Sequence, residues 1–425
     1  MSAQTLFAKL EKHNYWHGET VRTGVPRPIY LERIDSFSGN RLIKVLVGQR
    51  RTGKSYILRQ LIQRLIDCGA DARNIFYLDK EHIDFSELTE YHQLDELIRF
   101  YLNKVAVEHS KVYLLLDEVQ EIAGWEKLAA SYAQENKPDF ELYITGANSH
   151  MLSSELGTFL SGRHIPIAIY PLSLVEFCEA YGLQPDKPGL LAYLQQGGLP
   201  ELTNLKTDEA RRHYVMALRD SILLNDIVRK FGVQDIALLE RLFQFFCSNI
   251  GSFFSINKIV NHLNSSGVKT NFETLSRYVD YLERALVIHE CSRYDIRGKE
   301  ILAGARKYYV NDLAFRQYLA PDYDPGLSRR LENCFYLYWS AQGYQVHVGR
   351  YRNLEVDFVL EKEGQRTYAQ ICYLLADDTI IEREYRSLEM IRDNYPKMVI
   401  SLDDVQFGTR NGIHHLPAWE VLRQE

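Results

Sequence analysis

The segment from residue 43 to residue 66 constrains this chain more than any other. An apolar run rich in β-branched residues, IKVLV at 43–47, meets the octet Gly48–Gln49–Arg50–Arg51–Thr52–Gly53–Lys54–Ser55 with no spacer. Behind it Ile57, Leu58, Leu61, Ile62, Leu65 and Ile66 recur at helical spacing, and Gly69 is placed to stop the helix. A strand, a glycine-bracketed loop and a helix in direct succession form a cradle for phosphate. Gly48 and Gly53 let the backbone curl until its N–H groups face one point. The helix N-terminus adds partial positive charge there. Lys54 is placed to reach β and γ phosphates, and the Ser55 hydroxyl to take a Mg²⁺ position. Gly48, Arg51, Thr52, Gly53, Lys54 and Ser55 are therefore the candidate nucleotide contacts. Arg50 and Arg51 leave two readings open, phosphate contact or plain solvation.

A second strand-like run, VYLLL at 112–116, ends in Asp117–Glu118. Two carboxylates at the end of a buried strand are costly unless they serve an ion or a reaction. Asp117 suits a Mg²⁺ shell, and Glu118 suits polarisation of an attacking water. A third run, ELYITGANS at 141–149, ends in small polar residues. Strands at 43–47, 75–79, 112–116, 141–145 and 165–170, with helices between them, predict a three-layer α/β domain with a parallel sheet.

Composition narrows the remainder. The 425 residues, 46% hydrophobic and 25% charged, can build more than one core. Fifty Lys and Arg against 56 Asp and Glu exclude a uniformly basic, histone-like binder. No apolar run approaches the roughly 18 residues of a membrane span, and the N-terminus lacks a signal-like apolar core. The six cysteines are scattered without a CxxC pair. These features predict a reduced, cytoplasmic protein with no membrane partner.

Residues 171–250 read as mainly helical, with a punctuated turn at Gly197–Gly198–Leu199–Pro200–Glu201. From 256 the order becomes helix (256–265), helix after Asn271, strand (287–291), turn (295–299) and returning strand (307–310), which is the winged-helix order. Residues 256–310 hold nine Lys or Arg and six Asp or Glu, net +3. DNA is a candidate partner here, through Lys269, Thr270 and Arg277 in a groove and Arg297 and Lys299 on phosphate. A structural or protein-contact role is the competing reading.

The last hundred residues offer a helix with Glu332, a strand at 343–348, a hairpin carrying Asp357 and a strand at 368–373. This order resembles the restriction-endonuclease-like fold. Active members of that fold hold Mg²⁺ with a Glu, an Asp and a Glu-x-Lys pair. Glu332 and Asp357 match, but the pair reads Gln370 and Cys372, and residues 328–425 carry twelve Lys or Arg against fifteen Asp or Glu, net −3. The expectation is a retained fold with lost cleavage chemistry.

The motifs in order are GQRRTGKS, LLLDEVQ, TGANS, a Gly162–Arg163 pair before the last strand, GGLPE and EVDFV. Together they resemble the prokaryotic AAA-type (AAA+) P-loop ATPases whose C-terminal half is the domain of unknown function 4143. The resemblance implies strand order 5-1-4-3-2. It implies ATP with Mg²⁺ as cofactors, Asp117 and Ser55 as metal positions and Glu118 as catalytic. It also implies Asn148 as the polar sensor, with Thr145 and Ser149 as competitors, and Arg163 as a finger reaching a neighbouring subunit of a homo-oligomer. The expected division is an ATPase core at 1–175, a helical connector at 176–250, a winged-helix-like domain at 251–325 and a degenerate nuclease-like domain at 326–425. The leading function is Mg²⁺-dependent ATP hydrolysis that moves the C-terminal domains. The alternative is a slow nucleotide-gated module that binds DNA or a protein client. An ATP-dependent nuclease comes third.

Overall fold

The IKVLV run is fully buried because it lies inside a sheet, with a parallel neighbour on each side. The computed structural model describes residues 3–134, 139–147, 160, 162–320 and 326–424. They divide into two compact units, Met1–Ile169 and Tyr170–Glu425.

In the first unit five strands, β1 (Ile43–Val47), β2 (Ile75–Asp79), β3 (Val112–Asp117), β4 (Phe140–Gly146) and β5 (His164–Ala168), form one sheet in the order β2-β3-β4-β1-β5. Every pairing is parallel. This is the expected 5-1-4-3-2 order, a P-loop NTPase sheet. The helix Lys54–Asp67 packs Ile57, Leu58, Leu61 and Ile62 against Leu46, Ile75, Tyr77, Leu115 and Tyr143. Burying each of those side chains contributes about 1.5–3 kcal/mol. A parallel sheet leaves all its C-terminal strand ends on one edge, so Gly48, Asp117–Glu118 and the Gly146 end of β4 converge there. At the opposite end Lys44 is fully buried, with its ammonium 2.7 Å from Glu141.

The second unit begins with the helices Leu174–Tyr181, Lys187–Gln196, Asp208–Ser221 and Ile236–Ser248. The glycine pair in GGLPE is explained here. Gly197 has φ +81°, and a Cβ there would stand 2.1 Å from an Asp312 oxygen. The Asp312 carboxylate accepts the N–H groups of Gly198 and Ala314. It thereby ties the turn to the helix Leu313–Leu319.

Next come β6 (Phe253–Phe254), the helices Ile256–Ser265 and Phe272–Arg284, β7 (Ile288–Asp295) and β8 (Glu300–Val310). The helix–helix–hairpin order matches the expectation. Asn271 caps the second helix by accepting the N–H of Thr274. The tail adds the helix Leu327–Ala341, β9 (Gln345–Tyr351), β10 (Leu354–Lys362), β11 (Gln365–Ile371), the helix Asp378–Glu389, β12 (Lys397–Ser401), β13 (Thr409–Arg410) and β14 (Ile413–Pro417). The hairpin and the tail share one sheet of order β13-β14-β12-β11-β10-β9-β7-β8-β6, joined where β7 pairs parallel with β9.

Five of the six cysteines are buried, and all six are free. Among the described residues no helix is long and apolar enough to cross a membrane.

Glu283 closes the helix Phe272–Arg284 in a mostly buried position, and burial, with Glu290 and Asp280 nearby, pushes its carboxyl up to about 7. The folded state therefore holds a proton that the unfolded chain releases near pH 4.5. Glu283 lends most stability below that value, and its contribution falls as pH rises to about 7. Glu283→Gln should raise the stability of this unit at pH 8 by about 1–3 kcal/mol and change it little at pH 4.5. Urea unfolding at the two pH values checks this, and an equal effect at both refutes it.

Candidate functional site

Gly48 ends β1 where the chain must pass under the last core strand. A Cβ there would come within 2.3 Å of the Ile169 carbonyl oxygen, so only glycine fits. The loop is tied internally: Thr52 Oγ1 donates to the Gln49 carbonyl at 2.9 Å. Gly53 stands at φ +99° and opens the helix. Arg51 also adopts positive φ, +68°, with its side chain exposed.

Lys54 is buried and folds back over the loop. Its Nζ donates to the carbonyls of Gly48 at 3.1 Å and Gln49 at 3.2 Å, and lies 3.3 Å from Glu118 Oε1. Those oxygens hold the ammonium over the concave side of the loop.

Asp117 ends β3 fully buried. Its carboxylate accepts hydrogen bonds from Thr145 Oγ1 and, at 3.2 Å, from the Tyr77 hydroxyl. Burial and the adjacent Glu118 push its carboxyl up to about 7, against hydrogen bonds from Thr145 and Ser55. Glu118 follows at φ +53°, ψ +44°, a left-handed conformation that costs a non-glycine residue on the order of 1–3 kcal/mol. Its N–H donates to Thr145 Oγ1 at 2.9 Å, which stabilises that turn. Burial raises the Glu118 carboxyl, but Lys54, the Gln120 amide and Arg50 outweigh it and hold the group below its usual range. Gln120 Nε2 donates to Glu118 Oε2 at 2.5 Å.

The structure thus brings Gly48, Thr52, Gly53, Lys54, Ser55, Asp117 and Glu118 to one sheet edge. Thr145, one of three sensor candidates, joins them by linking the Asp117 carboxylate to the Glu118 backbone N–H. Asn148 and Ser149 lie outside the described residues. Arg163 does not join the site. It precedes β5 at the far end of the sheet, where its carbonyl accepts the N–H of Ile43. Val47 is four residue steps along the strand from Ile43, so a strand's length of roughly 13 Å lies between Arg163 and the loop. Arg50 pairs with Glu81 beyond β2.

Several supports carried no motif. Arg27 is buried, and its guanidinium donates to the Thr52 carbonyl at 3.0 Å. Gln60 accepts the Arg27 N–H and donates to the carbonyls of Thr23 and Val25. The segment before the first strand is thereby stitched to the phosphate-loop helix. The only signal in the sequence was a glutamine on the otherwise apolar face of that helix. Tyr77 and Gln120 were equally unmarked.

Ser55 and Asp117 supply hard oxygen donors side by side, the donor set that Mg²⁺ takes. The residues present therefore fit that ion.

Comparison with known proteins agrees with the geometry. Residues 40–178 match the family profile described as an AAA domain. Residues 188–325 match a domain of unknown function, DUF8612, rather than the domain 4143 that the motifs resemble. An uncharacterized protein of Haemophilus influenzae is 33% identical over 384 residues, covering 89% of this chain and 93% of its own. An uncharacterized protein of Methanocaldococcus jannaschii is 28% identical over 385 residues, covering 86% of this chain and 83% of its own. Among solved structures, a Walker-type ATPase of Pyrococcus abyssi aligns at 16% identity and TM-score 0.47, covering 71% of this chain and 99% of that one. With a relative this similar along almost all of its length, the chain belongs to the same family as the Haemophilus influenzae protein, and it carries an AAA domain at residues 40–178.

Proposed function

We propose that the first unit binds ATP with Mg²⁺ and hydrolyses it, and that nucleotide state sets the conformation of residues 170–425. The observation that carries this is the convergence of Lys54, Asp117, Glu118 and Thr145 at one sheet edge. Loop N–H groups and Lys54 bind the phosphates, and Lys54 exchanges the Gly48 and Gln49 carbonyls for phosphate oxygens. That exchange loosens its hold on Glu118, whose carboxylate then accepts a proton from the attacking water. Thr145 keeps the two acids in register. Ser55 and Asp117 would hold Mg²⁺, which would supply neutralisation of phosphate charge. Steady-state ADP release, measured with and without duplex DNA, tests this reading.

One observation favours a second reading, a nucleotide-gated binding module with slow turnover. Both Glu118 oxygens are engaged, one by Lys54 and one by Gln120. A base held on both sides abstracts a proton only after release. ADP formation slower than nucleotide exchange, unchanged by DNA, decides for the module.

Arg163 suits a site completed by a second copy, because its distance from the loop of its own chain leaves it free to serve another's. Mass in solution should rise with a nonhydrolysable ATP analogue and stay monomeric for Arg163→Ala. A monomer in both cases removes the finger.

DNA contact through 256–310 rests on Lys269 and Arg277, both exposed around the second helix. The net +3 overstates the charge on offer, since Lys307 is buried and paired with Glu332 and Glu355, acids outside the stretch. Lys269→Glu with Arg277→Glu should weaken duplex binding about tenfold or more and flatten its salt dependence. Retention equal to wild type at every salt concentration ends this assignment.

A further inference from the structure

The tail lacks the lysine of a Glu-x-Lys pair, yet a lysine stands among its acids. Lys307 comes from β8, in the hairpin, and is 4% exposed. Its Nζ lies 2.7 Å from Glu332 Oε1, 2.7 Å from Glu355 Oε1 and 3.9 Å from Asp357 Oδ1. Glu332 belongs to the helix Leu327–Ala341, and the two other acids belong to β10. Neighbouring contacts fix the arrangement. Asn333 accepts the Val310 N–H at 2.9 Å and donates to its carbonyl at 3.0 Å, locking the helix against β8. The Tyr309 hydroxyl donates to Glu332 Oε1 at 2.6 Å, and the Ile371 N–H to Asp357 Oδ2 at 2.8 Å. The positions that would complete a cleavage site are committed elsewhere. Gln370 accepts the Asp357 N–H and donates to Glu384, and Cys372 is buried in the core.

We propose that the Lys307 ammonium is the resident cation of the Glu332–Glu355–Asp357 cluster, filling the place a divalent ion would need. The cluster is then a latent metal site, closed by a residue from another strand. Magnesium and calcium sit about 2.0–2.6 Å from carboxylate oxygens. An ammonium at 2.7 Å from two carboxylates uses the same lone pairs. Two cations cannot share that space, because their repulsion is little screened at a buried position. The carboxylates outweigh burial and hold Lys307 above its usual range, so the ammonium keeps its charge at all ordinary pH values. The same bonds join the hairpin to the tail, beyond what β7–β9 pairing provides.

The test uses nucleotide-free full-length protein and Mn²⁺, followed by electron paramagnetic resonance and thermal melts. Wild type should take up no Mn²⁺ that Asp357→Asn removes, and its Tm should not respond to millimolar Mn²⁺. Lys307→Met should melt about 10 °C lower, because carboxylates lose their buried partner. It should bind one Mn²⁺ that the added Asp357→Asn abolishes, and regain part of its Tm with that ion. Asp357-dependent Mn²⁺ uptake by wild type overturns the proposal, as does a folded Lys307→Met that gains none. Mn²⁺-dependent plasmid cleavage by wild type, lost in Asp357→Asn, overturns it too. Should Lys307→Met not fold, the wild-type titration decides alone.

Discussion

Glu118→Gln should bind ATP within a factor of about three of wild type and turn it over about 10²–10⁴-fold more slowly. The substitution is chosen because the site supports Glu118 through its backbone. Its N–H bond to Thr145 Oγ1 survives, and so does the left-handed turn, which glutamine adopts at the same cost as glutamate. The lost property is the carboxylate's ability to take a proton. The Lys54 ammonium loses one of three partners and keeps the two loop carbonyls until phosphate arrives. Charge relief helps Asp117, because the Glu118 charge is one reason the Asp117 carboxyl is pushed up. Binding is read with a fluorescent nucleotide and chemistry by single-turnover ADP formation. A Glu118→Gln protein that forms ADP at the wild-type rate removes Glu118 as the base.

The features legible in the sequence were those whose meaning is local. GQRRTGKS is covalently contiguous, so the loop and its helix could be read from one octet, and the strand limits at 43–47 and 75–79 agree with the structure. The acids after β3 were legible because two charges at the end of an apolar run are conspicuous. The helix–helix–hairpin order was also visible, since alternation and caps are short-range. What the sequence hid depends on distant partners. Arg27 meets Thr52 across 25 residues, and nothing around either announces it. The β7–β9 pairing is parallel, so its partners lie some 55 residues apart with no turn between them to reveal the register. Charge counting misled most. The +3 of residues 256–310 and the −3 of 328–425 looked like two surfaces, one for DNA and one repelling it. Part of that imbalance is a single internal cluster, in which Lys307 of the first stretch pairs with Glu332 and Glu355 of the second.

Lys54→Ala should weaken ATP binding by about 10²–10⁴-fold. Two charge-assisted hydrogen bonds to phosphate contribute about 1.5–3 kcal/mol each, and every 1.4 kcal/mol is a factor of ten. The same substitution should destabilise the nucleotide-free protein, which confuses a simple reading. Lys54 is the foremost cation holding Glu118 in its charged form. Without it a buried carboxylate stands beside Asp117 uncompensated, at a cost of about 3 kcal/mol. A loop that has lost its fold and a loop that has lost only its ammonium would both fail to bind. The double variant Lys54→Ala/Glu118→Gln separates them, because neutralising Glu118 removes the uncompensated charge and leaves the binding defect. Its Tm should return most of the way to wild type while its ATP affinity stays as low as that of Lys54→Ala. Recovery of affinity together with Tm would mean that Lys54 serves the loop's fold, and that the phosphates are held by backbone N–H groups alone.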